Sequence, residues 1–269
     1  MLSARARGSV CAFPPRNPAC SGRDDELMSK PLIQLRDVTK TYSRGGETLT
    51  VLDRLALDME EGGYFALMGP SGSGKTTLLN LIGGLDRADS GSIRIGDDDL
   101  AQMDNAELAE WRSRSVGFVF QGFNLIPVLT ARENVELPLL LAPLKSSERR
   151  QRAEYALKLV GLADRMTHRP AQLSGGQEQR VAIARAIVTD PTLILADEPT
   201  GDLDRASAEQ VLELLGKLNG ELKKTILMVT HDPHAAECAK TIVHMDKGGL
   251  GGIETREPRK PSAASVGQR

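Results

Sequence analysis

The chain has 269 residues, 40% of them hydrophobic and 26% charged, a balance that fits a folded globular protein and excludes one too polar to bury a core. With 34 Lys and Arg against 36 Asp and Glu, the net charge is −2, so no overall field favours nucleic acid, and none is expected as a partner. Cys11, Cys20 and Cys238 form no C-x-x-C pair, which points to a reducing compartment, and no apolar run reaches the ~18 to 20 residues of a membrane span.

Residues 1–29 carry Arg5, Arg7, Arg16 and Arg23 among Pro14, Pro15 and Pro18, without the apolar core of a secretory signal. They read as a disordered extension, with Met28 as an alternative translation start. A folded domain is expected over 30–247. Apolar and polar residues alternate from Leu32 to Val38 and from Leu49 to Met59, the pattern of half-exposed strands, with Gly45-Gly46 as the turn between them. Tyr64 to Met68 is short and apolar, a buried strand. It runs into Gly69-Pro70-Ser71-Gly72-Ser73-Gly74-Lys75-Thr76-Thr77, which satisfies G-x-x-x-x-G-K-[ST]. Leu78, Leu79, Leu81 and Ile82 follow at helical spacing. Between a strand and a helix, such a loop curls backbone N–H groups around a triphosphate, with the helix dipole behind them. Lys75 is then placed for the β- and γ-phosphates and the Thr76 hydroxyl for Mg²⁺.

Farther on, Ser90-Gly91 marks a turn into a strand from Ser92 to Ile95, and Asp104 with Glu107 forms a capping pair opening a helix through Trp111. Val116 to Phe120 is a buried strand ending at Gln121. A helical subdomain is expected over about 122–180, including an amphipathic helix from Ser146 to Val160. Val181, Ile183, Ala184 and Ile187 suit a helix opening near Glu178, and Thr192 to Ala196 a strand. A helix bearing Val211, Leu214, Leu215 and Leu218 follows, then strands at Ile226–Val229 and Thr241–Met245. Strands alternating with helices imply a largely parallel sheet covered on both faces. Residues 248–269 read as a flexible tail.

Two further places carry chemistry. The apolar strand Leu193 to Ala196 ends in Asp197-Glu198, where Asp197 can hold Mg²⁺ through water and Glu198 can orient or deprotonate an attacking water. Leu173-Ser174-Gly175-Gly176-Gln177 precedes a helix and reads either as a capping turn or as a second anion cradle, one that would serve a neighbour's nucleotide. His231 and His234, three apart without a carboxylate or cysteine set, are poor zinc ligands.

Together these stretches resemble the nucleotide-binding domain of the ABC transporter superfamily over roughly Leu32 to Met245: Gly69 to Thr76 as Walker A, Leu173 to Gln177 followed by Gln179 to Ala186 as the signature, and Leu193 to Glu198 as Walker B. The resemblance implies an α/β P-loop NTPase core with an antiparallel β subdomain and an inserted helical subdomain. It implies an ATPase using ATP and Mg²⁺, working as a two-fold dimer at the cytoplasmic face of the plasma membrane beside a separate permease. It assigns Tyr42 to adenine stacking, Gln121 to sensing Mg²⁺ and water, His231 to the γ-phosphate, and Gly201-Asp202-Leu203-Asp204 to the dimer seam. Gly117 to Gln121, Phe123 to Pro127, Glu133 to Pro138 and Pro199-Thr200-Gly201 are similar to the macrolide-exporter and lipoprotein-releasing branch. Gly122 and Arg205 depart from it, at coupling and dimer surfaces. The other reading within the superfamily is an ATPase that regulates a membrane partner in envelope or division control.

Overall fold

The computed structural model describes residues 31–258, so the N-terminal extension, Met28 and the last eleven residues lie outside it. Strand β1 (Pro31–Arg44) and strand β2 (Glu47–Glu60) form an antiparallel pair joined at Gly45-Gly46, where both φ values are positive (61° and 87°). The period-two pattern decides which way they face: Leu52, Leu55, Leu57 and Met59 of β2 are buried and the residues between them exposed.

Strand β3 (Tyr64–Met68) leads to helix α1 (Lys75–Ile82), then come β4 (Ser90–Ile95) and the short β5 (Asp98–Asp99). Helix α2 (Asn105–Ser115) opens on the expected box, with Asp104 Oδ1 accepting from Glu107 N and Glu107 Oε2 accepting from Asp104 N, both at 2.8 Å. After β6 (Val116–Phe120) the chain leaves the sheet for helix α3 (Ala131–Glu136), a 3₁₀ turn over 137–141 and helix α4 (Ser146–Leu159). It returns through helix α5 (Gly175–Ile187) to β7 (Leu193–Asp197), helix α6 (Arg205–Gly220), β8 (Thr225–Val229), the single-turn helix α7 (Pro233–Ala236), β9 (Thr241–Asp246) and β10 (Gly249–Thr255).

Two sheets result. One is antiparallel, in the order β2-β1-β4-β5; the other has the order β10-β9-β3-β8-β7-β6, parallel except for the β10–β9 hairpin. The inner strands are apolar on both sides because both faces are covered. Leu193, Leu195, Leu227 and Val229 point into a core shared with α1, α2 and the antiparallel sheet. Ile194, Ala196, Ile226 and Met228 point into a second core under α3 to α7. Among the described residues, no helix is long and apolar enough to cross a membrane.

The expected tail after Lys247 is corrected. Lys247 and Gly248 both adopt positive φ (44° and 82°), a tight turn that sends residues 249–255 back along β9 as an edge strand. Helix α5 also starts three residues earlier than expected, because Ser174 caps it.

Candidate nucleotide site

In a parallel α/β sheet, ligands bind beyond the carboxyl ends of the strands. Four neighbouring strands here end in the predicted residues: β3 in the loop from Gly69, β8 in Thr230-His231, β7 in Asp197-Glu198, and β6 in Gln121. Sheet order thus gathers Gly69, Gln121, Asp197 and His231, from distant parts of the sequence, without any local signal for the gathering.

The loop is held in shape by its own groups. Gly74 caps α1 with φ 96°, and a Cβ there would sit 2.9 Å from the Val51 carbonyl oxygen, so only glycine fits. Lys75, buried at the start of α1, donates from Nζ to the Gly69 and Pro70 carbonyls, both at 2.8 Å, and lies 3.5 Å from Ser73 Oγ. Pro70, Ser71, Gly72 and Ser73 form the turn preceding the helix, and Thr76 and Thr77 are in its first turn.

Thr76 Oγ1 lies 3.4 Å from Asp197 Oδ1, the contact that joins the loop to the end of β7. Burial raises the Asp197 carboxyl above its ordinary range and the neighbouring Glu198 charge adds to this, while the Thr76 hydroxyl and Lys75 oppose it. A hydroxyl beside a partly desolvated carboxylate is a hard-oxygen donor set that suits Mg²⁺, which takes one or two protein ligands and completes its shell with phosphate oxygens and water. No cluster of three or more His, Cys, Asp or Glu side chains able to hold a metal occurs among the described residues.

Glu198 adopts φ 45°, the left-handed region, where a non-glycine residue is strained. Its N–H donates to the Val229 carbonyl (2.9 Å), and its Oε2 lies 3.1 Å from His231 Nδ1. The left-handed turn ends β7 and brings this carboxylate against the end of β8. His234 plays no part there; it pairs with Glu209 of α6.

Three predicted residues have local partners of their own. Gln121 Nε2 donates to Asp202 Oδ1 at 2.7 Å, so its amide is engaged with the 201–204 segment. Asp204 caps α6, accepting from the N–H groups of Ala206 and Ser207 (3.0 Å each) and from the Ser207 hydroxyl (2.6 Å); these bonds hold its carboxyl below the ordinary range. Ser174 and Gln177 form a capping box at the N-terminus of α5, with Ser174 Oγ accepting from Gln177 N (3.3 Å) and Gln177 Oε1 from Ser174 N (3.0 Å). Capping turn and anion cradle are compatible, since the N–H groups of Gly175 and Gly176 are not used in the box. A Cβ on Gly176 would lie 2.7 Å from Ser207 Oγ, so α5 and α6 approach there as closely as glycine permits. No hydrogen bond or ion pair of the described residues joins 173–177 to the phosphate loop of the same chain.

Tyr42 is exposed on β1, with its hydroxyl donating to Asp86 Oδ2 (2.7 Å) and Lys40 Nζ lying 5.0 Å from the ring centroid. Sequence reasoning missed this support. Lys40 bonds Asp86 Oδ1 and the Arg87 carbonyl at 2.8 and 2.7 Å; burial alone would raise the Asp86 carboxyl, but the bonds from Lys40 and Tyr42 hold it low. Gln179, part of the signature stretch, had been given no role of its own. Its signal was a polar residue on the buried stripe of α5, in line with Ile183 and Ala186. A groove of about 920 Å³ lies at the opposite end of the sheet, near Gly63, Lys217 and Lys240, away from these residues.

Comparison with known proteins agrees with this geometry. The family described as ABC transporter matches residues 52–201, more than half of the chain. The chain is 51% identical over 219 residues to an uncharacterized ABC transporter ATP-binding protein, YknY, of Bacillus subtilis, covering 81% of this chain and 95% of that protein. It is 45% identical over 237 residues to the macrolide export ATP-binding/permease protein MacB of Marinobacter nauticus, of which it spans only 36%. Among solved structures, the dimeric post-hydrolysis state of the ATP-binding cassette MJ0796 bound to ADP and Pi superposes with a TM-score of 0.77 at 45% identity, covering 83% of this chain and 98% of that one. The chain belongs to the ABC transporter family, as one of its ATP-binding, ATP-hydrolysing subunits.

Proposed function

We propose that two copies of this chain close around two ATP molecules and drive a separate membrane permease in efflux or in lipoprotein and envelope transport, the pair sitting peripherally on the cytoplasmic face of the plasma membrane. The observation that carries this reading is the division of the anion-binding machinery. Thr76, Asp197, Glu198 and His231 are linked at one end of the sheet, while Ser174 to Gly176 have no bond to the phosphate loop of their own chain. A cradle without a phosphate of its own fits a two-fold, self-complementary interface, in which each nucleotide is shared.

Within that site, Lys75 and the loop N–H groups bind the phosphates, and Tyr42 offers its ring to the adenine. Thr76 and Asp197 would hold Mg²⁺, whose charge would offset that developing on the phosphates; Gln121, directly after the Phe120 that pairs with Asp197 across β6 and β7, would report on it once freed from Asp202. Glu198 orients the attacking water and accepts its proton, steadied through its carboxylate by His231. Loss of the γ-phosphate removes the contacts to Ser174, Gly176 and His231 and reopens the pair.

The permease surface is the groove between α2 and the helical region, lined by Leu85, Arg112, Phe118, Pro138, Leu141 and Arg185, with Leu85 and Leu141 48% and 77% exposed. Arg185 fastens Phe123 to it, its guanidinium donating to the Phe123 carbonyl at 2.8 Å. The likeness to MacB supports the branch. The test is Ser174→Arg: it should bind ATP within about twofold of wild type yet fail to pair in a catalytically slowed background, whereas normal pairing contradicts the shared site.

A further inference from the structure

We propose that Gln179 is a positioning residue that couples the two nucleotide sites of the pair, by tying the helix that carries one site to the backbone that carries the other. This rests on the shared-site reading above.

Gln179 is fully buried on α5, five residues after Ser174. Its Nε2 donates twice, to the Pro199 carbonyl at 2.6 Å and to the Phe120 carbonyl at 3.2 Å. Pro199 follows Glu198 directly, and Phe120 immediately precedes Gln121. One amide therefore fixes the backbone on the far side of the carboxylate and on the near side of the glutamine. The amide cannot be turned round, since its oxygen would then face two carbonyl oxygens. As it stands, Oε1 is buried without a protein hydrogen-bond donor. Packing alone would be served as well by an apolar side chain of the same shape, so the two donated bonds are the distinctive contribution.

The same helix is seated at its other contacts. Gly176 meets Ser207 at the start of α6, and Arg185 grips the 123–124 turn. With Ser174 engaged by the partner's nucleotide, any shift of the first turns of α5 must either carry Phe120 and Pro199 with it or break the bonds from Gln179. In this way occupancy of one site sets the placement of Gln121 and Glu198 in the other.

The experiment compares Gln179→Met, which keeps length and volume but removes both donors, and Gln179→Glu, which replaces the donors with a carboxylate facing two carbonyls. Rates are divided by the number of ATP-binding sites titrated in each preparation, so partial misfolding does not enter. Expected in both variants are an ATP affinity within about twofold of wild type, a kcat lower by about tenfold or more, and a Hill coefficient for ATP falling from about 2 toward 1. A merely structural role predicts that the methionine variant, which fills the same space, turns over normally; a wild-type kcat there overturns the proposal. A lowered kcat with an unchanged Hill coefficient overturns the coupling. Failure of the underlying shared-site reading shows separately, as absence of an ATP-dependent dimer in Glu198→Gln with Gln179 intact.

Discussion

Lys75 illustrates what a single residue settles. Its ammonium already spans two carbonyls of its own loop at 2.8 Å, so it can exchange those acceptors for phosphate oxygens without moving the helix that bears it. Charge-assisted bonds of this kind contribute roughly 1.5–3 kcal/mol. Lys75→Ala is accordingly expected to weaken ATP binding by about 10- to 100-fold, read by fluorescent-nucleotide displacement. Asp197 makes the opposite point, because function there costs stability. Its folded carboxyl is raised by burial. The native state then holds its proton to higher pH than the unfolded chain does, so its contribution to stability is greatest at low pH and is lost as pH rises through the window between the ordinary and the raised value. Asp197→Asn should therefore raise the Tm of the nucleotide-free chain at pH 7, with the gain shrinking toward pH 4, while abolishing Mg²⁺-dependent hydrolysis. An equal or lower Tm at pH 7 would contradict the assignment of that cost.

At the scale of elements, the stretch after β6 is held by one buried side chain. Asn134 of α3 accepts from the Ile126 N–H (2.7 Å) and donates to the carbonyls of Ile126, Leu129 and Thr130 at 3.1–3.2 Å. It thereby fixes residues 126–130, just after Phe123 and Asn124, both in the left-handed region. Asn134→Ala leaves several half-buried backbone groups without this partner and should cost about 1–3 kcal/mol in urea unfolding, with ATP affinity unchanged. The sequence marked Glu133 to Pro138 only as a resemblance; the hydrogen bonds show what the asparagine does. That contrast is general in this chain. The phosphate loop, the Asp104 box and the apolar strands were legible because their determinants lie within a few residues. The bonds of Gln179, the Lys40–Asp86–Tyr42 cluster and the partnership of Gln121 with Asp202 join residues 20 to 81 positions apart, so no local pattern announced these partners. Strand β10 was missed for a different reason: its glycines read as a tail, whereas an edge strand needs only the Lys247-Gly248 turn and the backbone of β9 to pair with.

Over the whole molecule, the parallel order β9-β3-β8-β7-β6 sets the candidate site residues side by side and leaves α5 to present its capped N-terminus as a separate surface. On the proposed reading, one chain carries two halves of different sites, and two chains complete both. The most direct measurement is gel filtration of Glu198→Gln with and without ATP. The substitution keeps the side chain's shape and removes the proposed base, so bound ATP should persist. A shift from monomer to dimer on adding ATP is the predicted result; a chain that binds ATP yet stays monomeric in both conditions would contradict the composite site.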